Sequence, residues 1–273
     1  MEDVLGYEGR RVIVTGAASG MGEAVAQILV DLGAEVHALD LREPSIPGLA
    51  SFTQCDLRDP AAIDASVARI GAIVNGLFNC AGLPNTFPDL DVMLVNFCGL
   101  RHLTEAVVPH MPEGSAIASI ASVAGIAWLQ NMATVLELVT TPDFASARTW
   151  CEADPARIAN AYGLSKEAIN AYTAWRCVPL AKDGIRINCL NPGPTDTAMM
   201  PHFEQAMGKA YMDDFPKPLG RNSRPEEQAW PLVFLNSPRA SYVTGIALFA
   251  DGGFTGGLYT GQIDPSVLMP QPS

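Results

Sequence analysis

RVIVTGAASGMGEAVAQILVDLGAEVHALD, running from Arg11 to Asp40, decides the fold. Val12, Ile13 and Val14 form a short apolar, β-branched run, the pattern of a strand covered on both faces. Gly16, Gly20 and Gly22 follow at once. Val25, Ala26, Ile28, Leu29 and Leu32 then recur at helical spacing, which predicts a helix opening near Gly20 and closing at Gly33. A second strand, Glu35 to Leu39, ends on Asp40. Strand, glycine loop, helix, strand, acid is the order that a dinucleotide-binding βαβ unit requires. A pyrophosphate at a helix N-terminus is held by unpaired backbone N–H groups and the helix dipole, and side chains would block its approach. Gly16, Ser19, Gly20, Met21 and Gly22 are therefore the expected phosphate contacts. Asp40, eighteen residues beyond Gly22, stands with Leu41 where a carboxylate accepts bonds from the adenosine ribose hydroxyls. A 2′-phosphate there would meet a negative charge, so the unit favours NAD, while Arg42 keeps NADP open. A glycine turn in an ordinary α/β protein is the plainer alternative; the strand, helix and distal acid argue against it.

The 273 residues suffice for one large α/β domain, 48% hydrophobic and 17% charged, as suits strands covered on both faces. A net charge of −12 with only four lysines disfavours nucleic acid and anionic membranes as partners. Six cysteines without a CxxC pair read as buried free thiols in a reducing compartment, and four scattered histidines offer no metal site. The acidic MEDVLGYEGR start is no secretory signal, and the uncharged run Ser115–Leu136 is interrupted by polar residues, so no membrane span and a cytoplasmic location are expected.

Further along, a third strand, Ser51 to Gln54, precedes Asp56 and Leu57, with Asp59 and Pro60 placed to open a helix through Ile70. Asp56 could meet an adenine through its carboxylate or through the Leu57 backbone, or could be a solvated acid. Asn79-Cys80-Ala81-Gly82 follows the strand Gly76–Phe78; small residues there let backbone pass close to a ligand. Asn96 sits mid-helix in a predicted Leu90–Met111 helix, where asparagine is a poor former. Ser122 ends the strand Ser115–Ile120, at the carboxyl edge that lines the crevice of doubly wound sheets. Tyr162 and Lys166, four apart on a predicted Ile158–Ala181 helix, share a face. With six tyrosines and four lysines, YxxxK alone would arise by chance roughly one time in ten. The strand Arg186–Leu190 leads into NPGPTDT, with Pro192 and Gly193 turning toward the crevice; Ser223 reads as an N-cap, and a last strand spans Ile246–Ala250.

The TGxxxGxG spacing from Thr15, the NCAG segment, Ser122 and YxxxK occur in one order that resembles the short-chain dehydrogenase/reductase family, over about Arg11 to Phe254. The resemblance implies a single Rossmann-like α/β domain over 1–273, a doubly wound parallel sheet of about seven strands. It implies Ser122, Tyr162, Lys166 and Asn96 as catalytic residues, with Asn96 supporting a water relay. It also implies Asp56 at the adenine, Asn79, Ala81 and Gly82 at the ribose, and Pro192, Gly193, Thr195 and Thr197 near the nicotinamide, with Tyr162 and Lys166 also contacting the cofactor. A phenol titrates near 10 in water, and Lys166 beside an oxidised nicotinamide would lower it into working range.

Ser122 and Tyr162 are forty residues apart, more than the family's usual dozen or so. The extra segment, about 129–155, predicts two short helices, the second opened by Thr141, and resembles the subgroup holding bacterial 3α-hydroxysteroid dehydrogenase/carbonyl reductase and coniferyl-alcohol dehydrogenase. Trp128, Leu129, Met132, Leu136 and Trp150 of this helical insertion could cover the cofactor. A lid at about 195–219 offers Met199, Met200, Phe203 and Met207, then Tyr211, Met212 and Phe215. Ordinary core packing is the plainer role for such residues. The expectation is an NAD-dependent oxidoreductase acting on a bulky hydrophobic alcohol or ketone, of 3α-hydroxysteroid or cinnamyl type, in a homo-oligomer, dimer or tetramer. A non-catalytic NAD sensor, an NADP-dependent carbonyl reductase, a Rossmann methyltransferase and a nucleotide-sugar epimerase are the alternatives.

Overall fold

The computed structural model describes residues 3–71 and 73–268; Met1, Glu2 and 269–273, within the expected domain, lie outside them. Seven parallel strands form one sheet: β1 Arg11–Thr15, β2 Glu35–Asp40, β3 Ser51–Gln54, β4 Gly76–Asn79, β5 Ala116–Ile120, β6 Arg186–Pro192 and β7 Ala247–Ala250, in the order β3-β2-β1-β4-β5-β6-β7. The order reverses between β1 and β4, which opens a crevice at their carboxyl ends. Alternation along β1 divides the core. Val12 and Val14 pack with α1 (Gly20–Asp31) and α10 (Pro225–Asn236) on one face, whereas Ile13 packs with α2 (Pro60–Ile70), α4 (Leu100–Val107) and α7 (Ala161–Ala181) on the other. All three are fully buried. This is the doubly wound architecture that the sequence predicts.

Several boundaries differ for local reasons. The predicted Leu90–Met111 helix is α3 Asp89–Met93, a π-helical turn Leu94–Gly99, and α4. Gly99 ends the irregular turn, and a Cβ there would overlap the Leu57 carbonyl that lies against it. The helix of Tyr162 begins at Ala161, because the Asn160 side chain caps it by accepting from Gly163 N. Ser223 does not cap α10. Arg224 holds that position, its N–H donating to Glu227, while Ser223 pairs with Thr195 in a parallel bridge. Four of the six free thiols are buried and Cys80 and Cys177 only half-buried, so the expectation of six buried cysteines is corrected. Among the described residues no helix is long and apolar enough to cross a membrane.

The insertion folds as α5 Met132–Val139 and α6 Phe144–Ala153. Thr141 does not open α6; Asp143 does, accepting from Ser146 N at 2.8 Å. Thr141 instead receives Arg101, a residue 5% exposed whose guanidinium reaches across from α4 into the connection between the two helices. It donates to the carbonyls of Leu138, Val139, Thr141 and Asp143, the first two at the negative end of α5. One buried cation thus satisfies the carbonyls that end α5 and fixes where α6 starts. Arg101→Met leaves the Val139 and Thr141 carbonyls without that donor, while Leu138 O keeps Thr141 N and Oγ1 and Asp143 O keeps Ala147 N, and should lower unfolding stability by about 3 kcal/mol. Urea denaturation measures this, with cleavage between α5 and α6 appearing first in limited proteolysis. A loss under about 1 kcal/mol would mean water replaces the guanidinium without cost.

Candidate active site

The carboxyl ends of β1 and β4 are locked together by backbone. Thr15 Oγ1 accepts from Cys80 N at 3.0 Å and Ala81 N at 3.1 Å. Gly16, at φ +69°, lies so close to Ala81 that a Cβ would stand 2.8 Å from its main chain. Gly22 likewise sits against the Gly16 carbonyl, so α1 starts directly on the loop. Ser19 occupies the N-cap of α1 but its hydroxyl caps nothing, which leaves first-turn N–H groups, Met21 and Gly22 among them, without a side-chain acceptor. That open helix end suits an anionic ligand. Thr197 rests on Gly20, bringing the segment after β6 over the loop.

Asp40 does more than the sequence suggested. Its carboxylate accepts from Ala18 N and Arg42 N, both at 3.0 Å, and so holds the glycine loop in shape. Two of its roughly four acceptor sites remain. Leu41 is exposed beside it. Asp56 is paired with Arg58 at 2.7 Å, and Arg58 reaches Asp91 at 3.1 Å; the guanidinium holds the Asp56 carboxyl below its usual range. Leu57 is buried, its carbonyl against Gly99.

Around the Gly16–Ala81 contact lie the other predicted residues. Asn79 is buried, donating to Thr104 and Ser119. Asn96 is fully buried in the π-helical turn, accepting from Leu83 N at 2.7 Å and donating to Leu83 O at 3.0 Å and Ser165 Oγ at 3.2 Å. It therefore fixes the chain just after Gly82, and both its amide donors are occupied. π-turns of this kind concentrate at functional sites.

Ser122, Tyr162 and Lys166 come together at the end of β5. The Ser122 hydroxyl stands close enough to Tyr162 to favour its phenolate, and Ser122 Oγ accepts from Ala124 N at 3.1 Å. Lys166 Nζ donates to Ile120 O at 2.9 Å and stands 5.6 Å from the centroid of the Tyr162 ring. The expected lowering of the phenol by Lys166 is not what the protein's own groups produce. Burial dominates and pushes Tyr162 up to about 12, opposed only by the Ser122 hydroxyl, while burial pulls Lys166 down to about 8. Desolvation outweighs the attraction because the ammonium is bonded to a carbonyl instead of the phenol oxygen.

Sequence reasoning missed a buried network beneath this set. Asn191 Oδ1 accepts from Ser122 N at 3.3 Å and from Asn170 Nδ2 at 3.1 Å; Asn170 also bonds Gly125 O and Cys189 Sγ. Asn170 lies four residues beyond Lys166, on the face of Tyr162, and that spacing was the available signal.

A cavity of about 540 Å³ opens over the set, with Pro192, Gly193, Thr195 and Thr197 in its wall. Helices α8 Met200–Met207 and α9 Lys209–Asp214 cover it. Met199, Met200, Phe203 and Met207 line it, as do Tyr211, Met212 and Phe215. Phe203 stacks edge-on to Tyr162 at 5.1 Å, and His202 bonds Thr86 at 2.7 Å, tying the cover to the chain after β4. The insertion residues named for this role do not line the cavity. Trp128, Met132, Leu136 and Trp150 pack on the core around α7 instead, and Leu129 is exposed.

Family models described as "short chain dehydrogenase" and "Enoyl-(Acyl carrier protein) reductase" match residues 10–134 and 152–255. The 3-alpha-hydroxysteroid dehydrogenase/carbonyl reductase of Comamonas testosteroni is 31% identical, covering 89% of this chain and 95% of that protein. The chain belongs to the short-chain dehydrogenase/reductase family. Like its relatives it is an oxidoreductase of CH–OH groups. The coniferyl-alcohol dehydrogenase of a Pseudomonas species is 29% identical over 89% of this chain and 96% of its own length. Among solved structures, the 3-alpha-hydroxysteroid dehydrogenase of Pseudomonas sp. B-0831, complexed with NADH, superposes with a TM-score of 0.77 at 28% identity, covering 93% of this chain and all of that one. BdcA, solved with NADPH, gives 0.68 at 25% identity, covering 91% and 95%. Both ligands are nicotinamide dinucleotides, which fits the uncapped end of α1.

The buried ammonium has a measurable signature. With the Lys166 pKa lowered from 10.5 to about 8, folding disfavours the charged form by on the order of 3 kcal/mol. That cost is fully present below pH 8 and vanishes as pH rises through 10.5, so it destabilises only in the lower range. The stability of the unmutated protein relative to Lys166→Met should therefore rise by about 3 kcal/mol between pH 7 and 10.5, read by denaturant titration. A difference that stays flat with pH would show the ammonium to be solvated.

Proposed function

We propose that the protein is an NAD-dependent dehydrogenase that interconverts a bulky hydrophobic alcohol and its carbonyl through Tyr162, Lys166 and Ser122. The observation that carries this reading is the Tyr162–Ser122 hydroxyl pair beneath an apolar cavity, with the Lys166 ammonium anchored behind it. A bound nicotinamide supplies the hydride acceptor or donor and, when oxidised, a positive charge. Gly16, Ser19, Gly20, Met21 and Gly22 would hold its phosphates, and Asp40 the adenosine ribose. Tyr162 Oη takes the proton of the substrate hydroxyl during oxidation and returns it during reduction. Ser122 Oγ bonds the same substrate oxygen and sets its direction, and Asn191 and Asn170 hold the Ser122 backbone in place. Because burial alone holds Tyr162 near 12, the positive charge of the loaded site has to bring it into range.

Cavity chemistry supports the substrate class. Four methionines and three aromatics in its cover are deformable and apolar, and no arginine lies between Arg186 and Arg221 to meet a phosphate or carboxylate. A 3α-hydroxysteroid or cinnamyl-type alcohol fits that wall, in keeping with the relatives' names. A homo-oligomer is supported by exposed apolar side chains, Trp175 and Val178 on α7 and Trp230 and Phe234 on α10.

Tyr162→Phe should lower kcat by about 10²–10⁴-fold while NAD still quenches tryptophan fluorescence, since only the hydroxyl is lost. Retention of more than about a tenth of kcat would place the acid–base group elsewhere. Asp40→Ala should raise the NADP/NAD ratio of kcat/KM by about tenfold or more, because a like-charge contact is removed. An unaltered ratio would take Asp40 out of the ribose site.

A further inference from the structure

Among the described residues Glu167, the residue after Lys166 in α7, is the sole carboxylate in the wall of the cavity, and it is 9% exposed. Carboxylates are rarely buried so far without a cationic partner. Among the described residues none pairs with it. Its protein bond comes from Asn131 Nδ2, which donates to Oε2 at 2.6 Å. Asn131 is the N-cap of α5, a position where asparagine ordinarily accepts from its own helix, yet its side chain makes no cap bond. The insertion therefore gives up a cap to hold Glu167. Oε1 receives no bond from the described residues and is not sealed from space either.

Asn160 and Gly163 share this face of α7 with Glu167, and all three line the cavity. Asn160 Oδ1 is used by Gly163 N, while its Nδ2 has no acceptor among the described residues. A free acceptor and a free donor thus flank a residue without a side chain. Such a pair complements a hydroxyl, which donates and accepts at once.

We propose that Glu167, positioned by Asn131 and assisted by Asn160, is a specificity-determining residue that binds a second hydroxyl of the substrate, at the end remote from the reacting carbon. The proposal rests on the dehydrogenase reading above and narrows its substrate from a hydrophobic alcohol to one with a distal hydrogen-bond donor. Glu167 lies five residues beyond Tyr162, about 7.5 Å along the helix axis and roughly 140° around it, so the two groups meet the cavity at separate places and a substrate oxygen at one is not the oxygen at the other. Burial raises the Glu167 carboxyl above its usual range and only the Asn131 bond opposes it, so a donated O–H relieves an under-solvated carboxylate. A substrate lacking the donor would leave it unpaired, and such gaps discriminate more sharply than apolar fit does.

The test compares cinnamyl, 4-hydroxycinnamyl and 4-methoxycinnamyl alcohol, the last filling the same space without a donor. Turnover of cinnamyl alcohol with NAD reports on the dehydrogenase reading by itself. The 4-hydroxy over 4-methoxy ratio reports on Glu167, as kcat/KM and, independently of turnover, as Kd by calorimetry. The unmutated protein should favour the 4-hydroxy compound by about 10–100-fold, the range for a hydrogen bond to a charged group. Glu167→Gln keeps the shape and still accepts from Asn131, and should bring the ratio near unity. Equal values for the pair in the unmutated protein, or a preference that survives Glu167→Gln, overturns the proposal.

Discussion

The structure depends on the backbone contact between the ends of β1 and β4. Thr15 Oγ1 takes two main-chain N–H groups from the β4 end, and Gly16 leaves room for Ala81 to lie against it. The chains leaving these two paired strands turn to opposite faces of the sheet, so the backbone just past the strand ends needs other partners. Closing that gap puts the glycine loop, the start of α1 and the chain leading to Asn96 in one place. A methyl group at Gly16 or Gly22 would push these elements apart. The dinucleotide crevice is thus a consequence of sheet topology, with glycine and threonine chosen to let backbone approach backbone.

Around this crevice the protein buries polar groups and holds them through main chain and through buried amide side chains. Lys166 is held by a strand-end carbonyl, Asn96 by both backbone groups of Leu83, and Ser122 by the Asn191–Asn170 pair. Such buried partners are rigid, so Lys166 and the Ser122 backbone have little freedom to relax when a substrate enters. Preorganisation of that kind favours the transition state, because the dipoles need not reorient during proton transfer. Its cost appears in Tyr162 and Lys166, whose pKa values burial drives apart.

Two added segments shape what can react. The α8–α9 cover supplies the apolar wall and is tied back to the core through His202 and Thr86. The α5–α6 insertion is anchored by the buried Arg101 and supports α7 from behind. It reaches the cavity through one polar contact, Asn131 to Glu167. Bulky apolar residues in the insertion serve the core because an added helix pair must bury a face of its own before it can contribute to a site.

The sequence by itself determined the βαβ start, through β-branched runs, glycine spacing and the distal acid Asp40. The parallel sheet of about seven strands and the grouping of Ser122, Tyr162 and Lys166 were legible only through the order of motifs that resembles the family. Tertiary structure alone decided the rest. It put a π-turn at Asn96 and set Leu57, forty-two residues before Gly99, against that glycine at its end. It moved the cap of α10 from Ser223 to Arg224, since Ser223 bonds Thr195 in the segment after β6. It turned Trp128 and Trp150 inward, and it set the Tyr162 phenol above its solution value. Each of these rests on which distant groups share a small volume and how much water is left there, and no period or motif along the chain encodes that.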